Sequence, residues 1–478
     1  MANIFRNIPS VNQLLESPQL KKLVENVNHQ VVVDGVRTFI DDLKDTITTA
    51  SDEIEIPTPS EMADKIADWL KVEQREYLRP VINGTGIILH TGLGRAPLAK
   101  SAIAATAQIA SGYASVEVDL TDGQRGQRVK AVEKLLCELT GAEAAVVVNN
   151  NAAATMIALA TVATGKEVIV SRGQLIEIGG SYRLPDVMQC SGCKLKEVGT
   201  TNKTHAADYS SAIGEETGAI LKVHPSNFEV VGFTKTVSAK ELVSIAHAHD
   251  LPMIDDVGSG ALIDFAKFGL SDEPVVRDSI KDGADIVLFS GDKLIGGPQC
   301  GIIIGKRKYI DQILNNALMR AMRVDKMTLA ALAATLRLYR NEETVEQEVP
   351  ILRMLSMPEA NLKLRAEKVA QQIQGKGWLE VCEVTEAQSM LGGGSLPTQK
   401  IPTWCVAIRP QTSSVNRIAQ RLRSSTPAVI GRVQKDTLLI DMRTVLPEQD
   451  MILVELLDAL NEQDDTASED ASNDPTTQ

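Results

Sequence analysis

Between about residues 76 and 330 the chain alternates short apolar runs with longer stretches whose apolar residues recur every three or four positions. The runs EAAVVVN (143–149), EVIVS (167–171), AILKVH (219–224), LPMIDDV (251–257), DIVLFS (285–290) and GIIIG (301–305) are apolar on both faces. That pattern predicts strands of a mostly parallel sheet covered on each side. Stretches such as AAATMIALATVA and SAKELVSIAHAHD have helical spacing, so the segment 76–330 reads as a large α/β domain.

The flanks follow other patterns. In residues 1–75, SVNQLLESPQLKKLVENV and VRTFIDDLKDTI repeat at helical spacing, and PTPSEMADKIADWLKVEQ opens with proline and a serine–aspartate capping pattern. A small helical domain is expected there, with a boundary near residue 76 at the proline–glycine break YLRPVINGTG. KMTLAALAATLRLYRNEET predicts a long connecting helix. Residues 331–460 then alternate on a smaller scale, with strands TWCVAI and TLLIDM around the helix SVNRIAQRLRSS, which predicts a small C-terminal α/β domain. Residues 461–478 are polar and acidic without aromatics, and read as a disordered tail.

Composition narrows the class. The 478 residues are 44% hydrophobic and 23% charged, which is ordinary for a globular protein. No run approaches the roughly 18 apolar residues of a membrane span, and the first residues lack a basic region followed by an apolar one. A cytosolic protein without a membrane partner is expected. Six cysteines in so long a chain make no disulfide framework. Cys190 and Cys193 form the single CxxC, and with no second pair or spaced histidines they read as reduced thiols. The net charge is −13, and −7 without the tail, so composition by itself argues against a nucleic-acid partner.

Three short segments carry chemistry. Lys293 stands in a glycine-flanked turn between two buried strands in DIVLFSGDKLIGGPQCGIIIG. Either its stem packs on apolar surface while the amine reaches water, or desolvation lowers its pKa for Schiff-base chemistry. VVVNNNAAATMIALA runs from a strand through Asn149, Asn150 and Asn151 into small residues and a helix, which suits either a phosphate cradle or a plain N-cap. LPMIDDVGSGALID ends a strand on Asp255 and Asp256, where α/β folds bind ligands, although two loop-capping aspartates would look the same. The order is informative: cradle, an acid 105 residues after Asn151, and a lysine 37 residues after Asp256. It matches pyridoxal-phosphate enzymes of the aspartate-aminotransferase fold. Neither a P-loop nor a strand-linked dinucleotide fingerprint is present.

RPVINGTGIILHTGLGRAPL, EIGGSYRLPDVM, EVGTTNKTH, IDDVGSGALID and FSGDKLIGGPQCGIIIG, taken together, resemble the bacterial selenocysteine synthases, the L-seryl-tRNA(Sec) selenium transferases. The resemblance covers residues 1–460. It implies that Lys293 holds pyridoxal 5′-phosphate and later moves the α-proton. It also implies that Asp256 pairs with the pyridine nitrogen, with Asp255 as the fallback. Asn150, Asn151, Ala152 and Ser290 would bind the phosphate, and Arg95, Arg320 and Arg323 would bind selenophosphate. The reaction implied is loss of water from seryl-tRNA(Sec) to an aminoacrylyl-tRNA, followed by selenium addition.

The family further implies tRNA selection by residues 1–75 and a homo-oligomeric ring of dimers. Residues 1–70 hold 6 bases against 12 acids, with Lys21, Lys22 and Arg37 as the basic candidates. Gly296 and Gly297 are expected to leave room for a bulky aminoacyl end. The competing reading is a small-molecule lyase or desulfurase on the same fold, and a noncatalytic RNA-binding scaffold is the third.

Overall fold

The computed structural model describes residues 8–26, 28–49, 57–73, 77–179, 182–270, 273–393 and 395–460. The tail 461–478 expected to be disordered lies outside the described residues, as do Gly180 and Ser181 of the EIGGSY motif. The chain divides into two compact units, Met1–Pro80 and Val81–Gln478.

The first unit is helical: α1 (Val11–Leu15), α2 (Pro18–Asn26), α3 (His29–Thr49) and α4 (Pro59–Glu73). Leu14, Leu20, Val32, Val36, Met62, Ile66 and Leu70 bury their side chains together, which converts four amphipathic stripes into one small core. The cap of α4 is not the expected serine–aspartate pair. Thr58 and Glu61 form the reciprocal capping box, each side chain taking the other residue's backbone N–H, because Pro59 has no N–H and starts the helix at N1. On the surface, Lys21 pairs with Glu16 at 2.5 Å and Arg37 with Asp34 at 3.4 Å.

In the second unit, seven strands form one sheet: β1 (Ala144–Val148), β2 (Glu167–Ser171), β3 (Lys194–Val198), β4 (Thr217–Val223), β5 (Met253–Gly258), β6 (Ile286–Ser290) and β7 (Gly301–Gly305). Their spatial order is β1-β7-β6-β5-β4-β2-β3. Only β7 runs antiparallel to its neighbours. The expected mostly parallel α/β sheet is therefore the one observed. Alternate residues supply two cores, one per face: Ala145, Val147, Ile220, Val287 and Ile302 on one, Ala144, Val146, Leu221, Leu288 and Ile303 on the other. This double burial is why these strands read as unbroken apolar runs. The edge strand β3, KLKEV, is mostly exposed and was not expected.

A second, six-stranded sheet joins Val81–Gly84, Ala428–Gln434, Thr437–Asp441, Ser395–Pro410, Leu379–Gly392 and Ile87–Leu89, in that order. Two of these strands come from residues that sequence pattern places with the large domain. Val81–Gly84 pairs parallel with Ala428–Gln434, and Ile87–Leu89 with Leu379–Gly392. The helices Glu359–Ile373, Val415–Ser424 and Asp450–Asp458 pack on this sheet around Trp378, Ile408, Leu422 and Ile440. Among the described residues, no helix is long and apolar enough to cross a membrane.

Candidate active site

The carboxyl ends of β1, β4, β5 and β6 all point to one side of the sheet, and a cavity of about 240 Å³ opens there. Its lining includes Arg95, Asn150, Asn151, Ala152, Asp256, Ser290 and Lys293. Seven of the ten residues expected to hold the cofactor or the donor thus line one space.

Lys293 stands in the turn after β6, where Gly297 N–H donates to the Gly291 carbonyl and Gly291 N–H to that of Cys300. Lys293 as a whole is 7% exposed. Burial, and then the Arg95 guanidinium, push its pKa below the ordinary lysine value, while Asp256, Asp292 and Glu273 oppose the shift. The lysine therefore does not reach solvent along its stem. Gly296 adopts φ +69°, and a Cβ there would run into Val349, so this glycine serves the turn rather than making room for a substrate. Gly297 does border open space, beside Arg95.

Asp256 is 4% exposed and accepts three hydrogen bonds: from Asn151 Nδ2 at 2.9 Å, Thr155 Oγ1 at 2.9 Å and Gly258 N at 3.1 Å. Burial nevertheless pushes its carboxyl upward from the ordinary value. A cation placed against it would reverse that shift. Asp255 turns to the opposite face, because successive strand residues alternate. There it pairs with Lys222 at 3.0 Å and accepts from Ser279 at 2.8 Å. The fallback acid does not line the cavity.

The helix Asn151–Val162 begins at the end of β1, and Asn150 caps it by accepting from Ala153 N at 2.8 Å. The N–H groups of Asn151 and Ala152 belong to the first turn, which has no intrahelical partners to offer them. Gly301 on β7 permits this approach, since a Cβ there would lie 2.1 Å from the Asn150 carbonyl. Asn151 differs from expectation in one respect: its amide nitrogen holds Asp256, and its Oδ1 is buried without a partner among the described residues. Ser290 closes β6 beside the helix start.

Arg95 reaches the cavity from a turn in which Gly94 and Arg95 both have positive φ, 86° and 61°. A non-glycine residue there costs about 1 kcal/mol. The turn is held by Arg95 N donating to the His90 carbonyl at 3.0 Å, and Arg95 Nη1 donates to Asp292 Oδ2 at 2.6 Å. Arg320 and Arg323 do not line the cavity. Arg320 is exposed on the short helix Met319–Met322, and Arg323 lies 3.7 Å from Glu117. Their segment nonetheless abuts the cradle, for Asn149 N donates to the Met322 carbonyl at 2.9 Å.

Several lining residues lie in or beside the quoted segments but were given no role there. Tyr182, His224, Asp292 and Gln299 all face the cavity. Burial, and next to it the Lys222 charge, lower the His224 pKa to about 4, so its ring is uncharged at neutral pH. Glu273 is buried against Ser259, whose hydroxyl donates to it, and burial raises its pKa to about 7.

The model of the L-seryl-tRNA selenium transferase family matches residues 81–446, and that of the selenocysteine synthase N terminal matches residues 5–43. The chain belongs to the L-seryl-tRNA(Sec) selenium transferase family. It is 44% identical over 468 residues to the L-seryl-tRNA(Sec) selenium transferase of Maridesulfovibrio salexigens, covering 97% of this chain and 100% of the relative. It is 46% identical to that of Moorella thermoacetica, covering 93% and 94%. A solved D-glucosaminate-6-phosphate ammonia-lyase superposes with a TM-score of 0.55 at 22% identity, over 80% of this chain and 95% of the other, a likeness of fold. Membership in a transferase family makes the chain an enzyme, and the cavity around Lys293 is the candidate for its catalytic centre.

Proposed function

We propose that this enzyme converts L-seryl-tRNA(Sec) to L-selenocysteyl-tRNA(Sec), with selenophosphate as donor and pyridoxal 5′-phosphate as cofactor in the Lys293 cavity. The supporting observation is the meeting, in one cavity, of a desolvated lysine, a carboxylate held by three donors and a helix start. These residues fit the cofactor: Lys293 for its aldehyde carbon, Asp256 for its ring nitrogen, and Asn151, Ala152 and Ser290 for its phosphate, with Asn150 setting the helix start. When bound, the cofactor supplies an electron sink.

The protein's own residues supply the remainder. The depressed basicity of Lys293 leaves more of its amine neutral, the form that would hold the cofactor's aldehyde and take up the substrate's Cα proton. Asn151 and Thr155 donate to Asp256, which aims it and opposes the upward push of burial. Loss of water across Cα–Cβ needs no donor, but addition of selenium at Cβ requires one bound close by, its Se–P bond breaking as phosphate leaves to water, and Arg95 offers a guanidinium for its oxyanion. Arg320 and Arg323, exposed beside the cradle, would complete that donor site across a subunit contact in the homo-oligomeric ring of dimers that the family resemblance implies. The N-terminal domain, residues 1–75, would select the tRNA. A cytoplasmic setting follows from the aminoacyl-tRNA substrate.

The test uses purified holoenzyme with seryl-tRNA(Sec), with and without selenophosphate. With the donor, selenocysteyl-tRNA forms. Without it, a dehydrated aminoacyl-tRNA accumulates. Turnover of free serine or cysteine at comparable rates would overturn the proposal in favour of a small-molecule lyase.

A further inference from the structure

Two further compartments adjoin the Lys293 cavity. One, of about 310 Å³, shares Arg95, Asp292 and Gln299 with it and is the one assigned above to the donor. The other, of about 250 Å³, shares His224 with it. It lies over the carboxyl ends of β2, β3 and β4, and nothing in the proposed reaction has used it. We propose that this second compartment holds the 3′-terminal adenosine of the aminoacyl-tRNA, an inference that rests on the function proposed above.

The substrate's connectivity demands such a space. The seryl carbonyl is esterified to the terminal ribose, so the nucleoside must sit in a compartment continuous with the one that holds Lys293. The compartment beside Arg95 is claimed by the oxyanion, which leaves the one beyond His224.

Its chemistry suits a nucleoside. The walls carry hydroxyls, and those of Thr201, Thr234 and Thr236 make no hydrogen bond among the described residues, leaving donors and acceptors for ribose and base edges. Next in the chain to the lining residue Thr234 is Phe233, 88% exposed, with Lys203 Nζ 5.6 Å from its ring centroid. An exposed aromatic ring beside a lysine is the recurring platform on which single-stranded nucleotides stack. The platform is held in place: Asn202 Nδ2 donates to the Phe233 carbonyl at 2.6 Å, and Lys235 N donates to the Asn202 carbonyl at 3.0 Å. Thr204 N donates to the Lys235 carbonyl at 2.9 Å, lacing the two loops together. Lys235 supplies a cation in the lining itself, suited to a phosphate of the preceding nucleotides. The EVGTTNKTH motif thereby acquires a use that the cofactor does not give it.

The experiment uses holoenzyme and a stable probe, 3′-seryl-amido-3′-deoxyadenosine, with adenosine and cytidine 5′-monophosphates for comparison. The amide and adenosine 5′-monophosphate are expected to compete with seryl-tRNA, and cytidine 5′-monophosphate more weakly. Phe233→Ala is expected to raise KM for seryl-tRNA and weaken the amide by about tenfold, the scale of one base stack, with kcat within about twofold. Thr234→Trp, which fills the compartment, should block the amide while the cofactor absorption persists. Amide binding that both variants leave unchanged would overturn the inference, as would a change of subunit assembly in Phe233→Ala, which would make that ring a subunit contact. If wild-type enzyme fails to convert seryl-tRNA, the proposed function falls, and calorimetric binding of the amide still reads the compartment on its own.

Discussion

The two adjacent aspartates offer a sharp test, because the strand turns them to opposite faces. In Asp256→Asn the new side chain keeps its neighbours: its oxygen still accepts from Asn151 and Gly258, whose bonds both end on Oδ1. The Thr155 hydroxyl can turn to the Asn151 carbonyl, 3.0 Å away, and accept from the new amide. The fold should therefore lose less than about 1 kcal/mol, the scale of one hydrogen bond. What disappears is the buried negative charge, whose loss opposite a cation costs about 3 kcal/mol or more. That corresponds to a fall of at least about two orders of magnitude in rate. Asp255→Asn does the reverse. It leaves the Lys222 ammonium, 19% exposed, without its anion and lowers stability by about 1–2 kcal/mol, while the chemistry proceeds. Single-turnover conversion of seryl-tRNA and thermal melting, measured on both variants, separate the two. A Asp256→Asn enzyme within about threefold of wild type, or an Asp255→Asn enzyme that folds normally but is inactive, would refute the assignment.

Three further outcomes follow from buried ionisable groups. The lowered pKa of Lys293 means that the rate of cofactor attachment, followed by absorbance, should rise with pH and level off below the ordinary lysine value of about 10.4; a plateau at or above that value contradicts it. His224, with a folded pKa of about 4 against an unfolded value of about 6.5, binds its proton only in the unfolded chain between those values. Its contribution to stability is therefore lost as pH falls from 6.5 towards 4, and His224→Gln should flatten the melting temperature over that window. Glu273 has the opposite sign: with a folded pKa of about 7, it is ionised only in the unfolded chain between about 4.5 and 7, so stability declines as pH rises through that range. Glu273→Gln should melt higher than wild type at pH 8 and little differently at pH 5; equal gains at both would show a packing effect instead.

Sequence by itself determined the strands of the large sheet wherever both faces are buried, because a residue that must be apolar regardless of its face leaves an uninterrupted run. β1, β6 and β7 are such cases, and the glycines and asparagines that end them mark where the backbone turns. It also determined the chain order of cradle, acid and lysine, since each lies at a strand end. Tertiary structure decided the rest. β3 is an edge strand with one face in water, so KLKEV carries polar residues where a buried strand cannot. The pairing of residues 81–89 with strands more than 300 positions later depends on contacts that no local window contains. Only the register of β5 between β4 and β6 decides which of Asp255 and Asp256 faces the cavity. Thr155, Tyr182 and His224 matter because the sheet brings distant loops to one edge, and side chains of such ordinary types acquire chemistry from the neighbours packed against them.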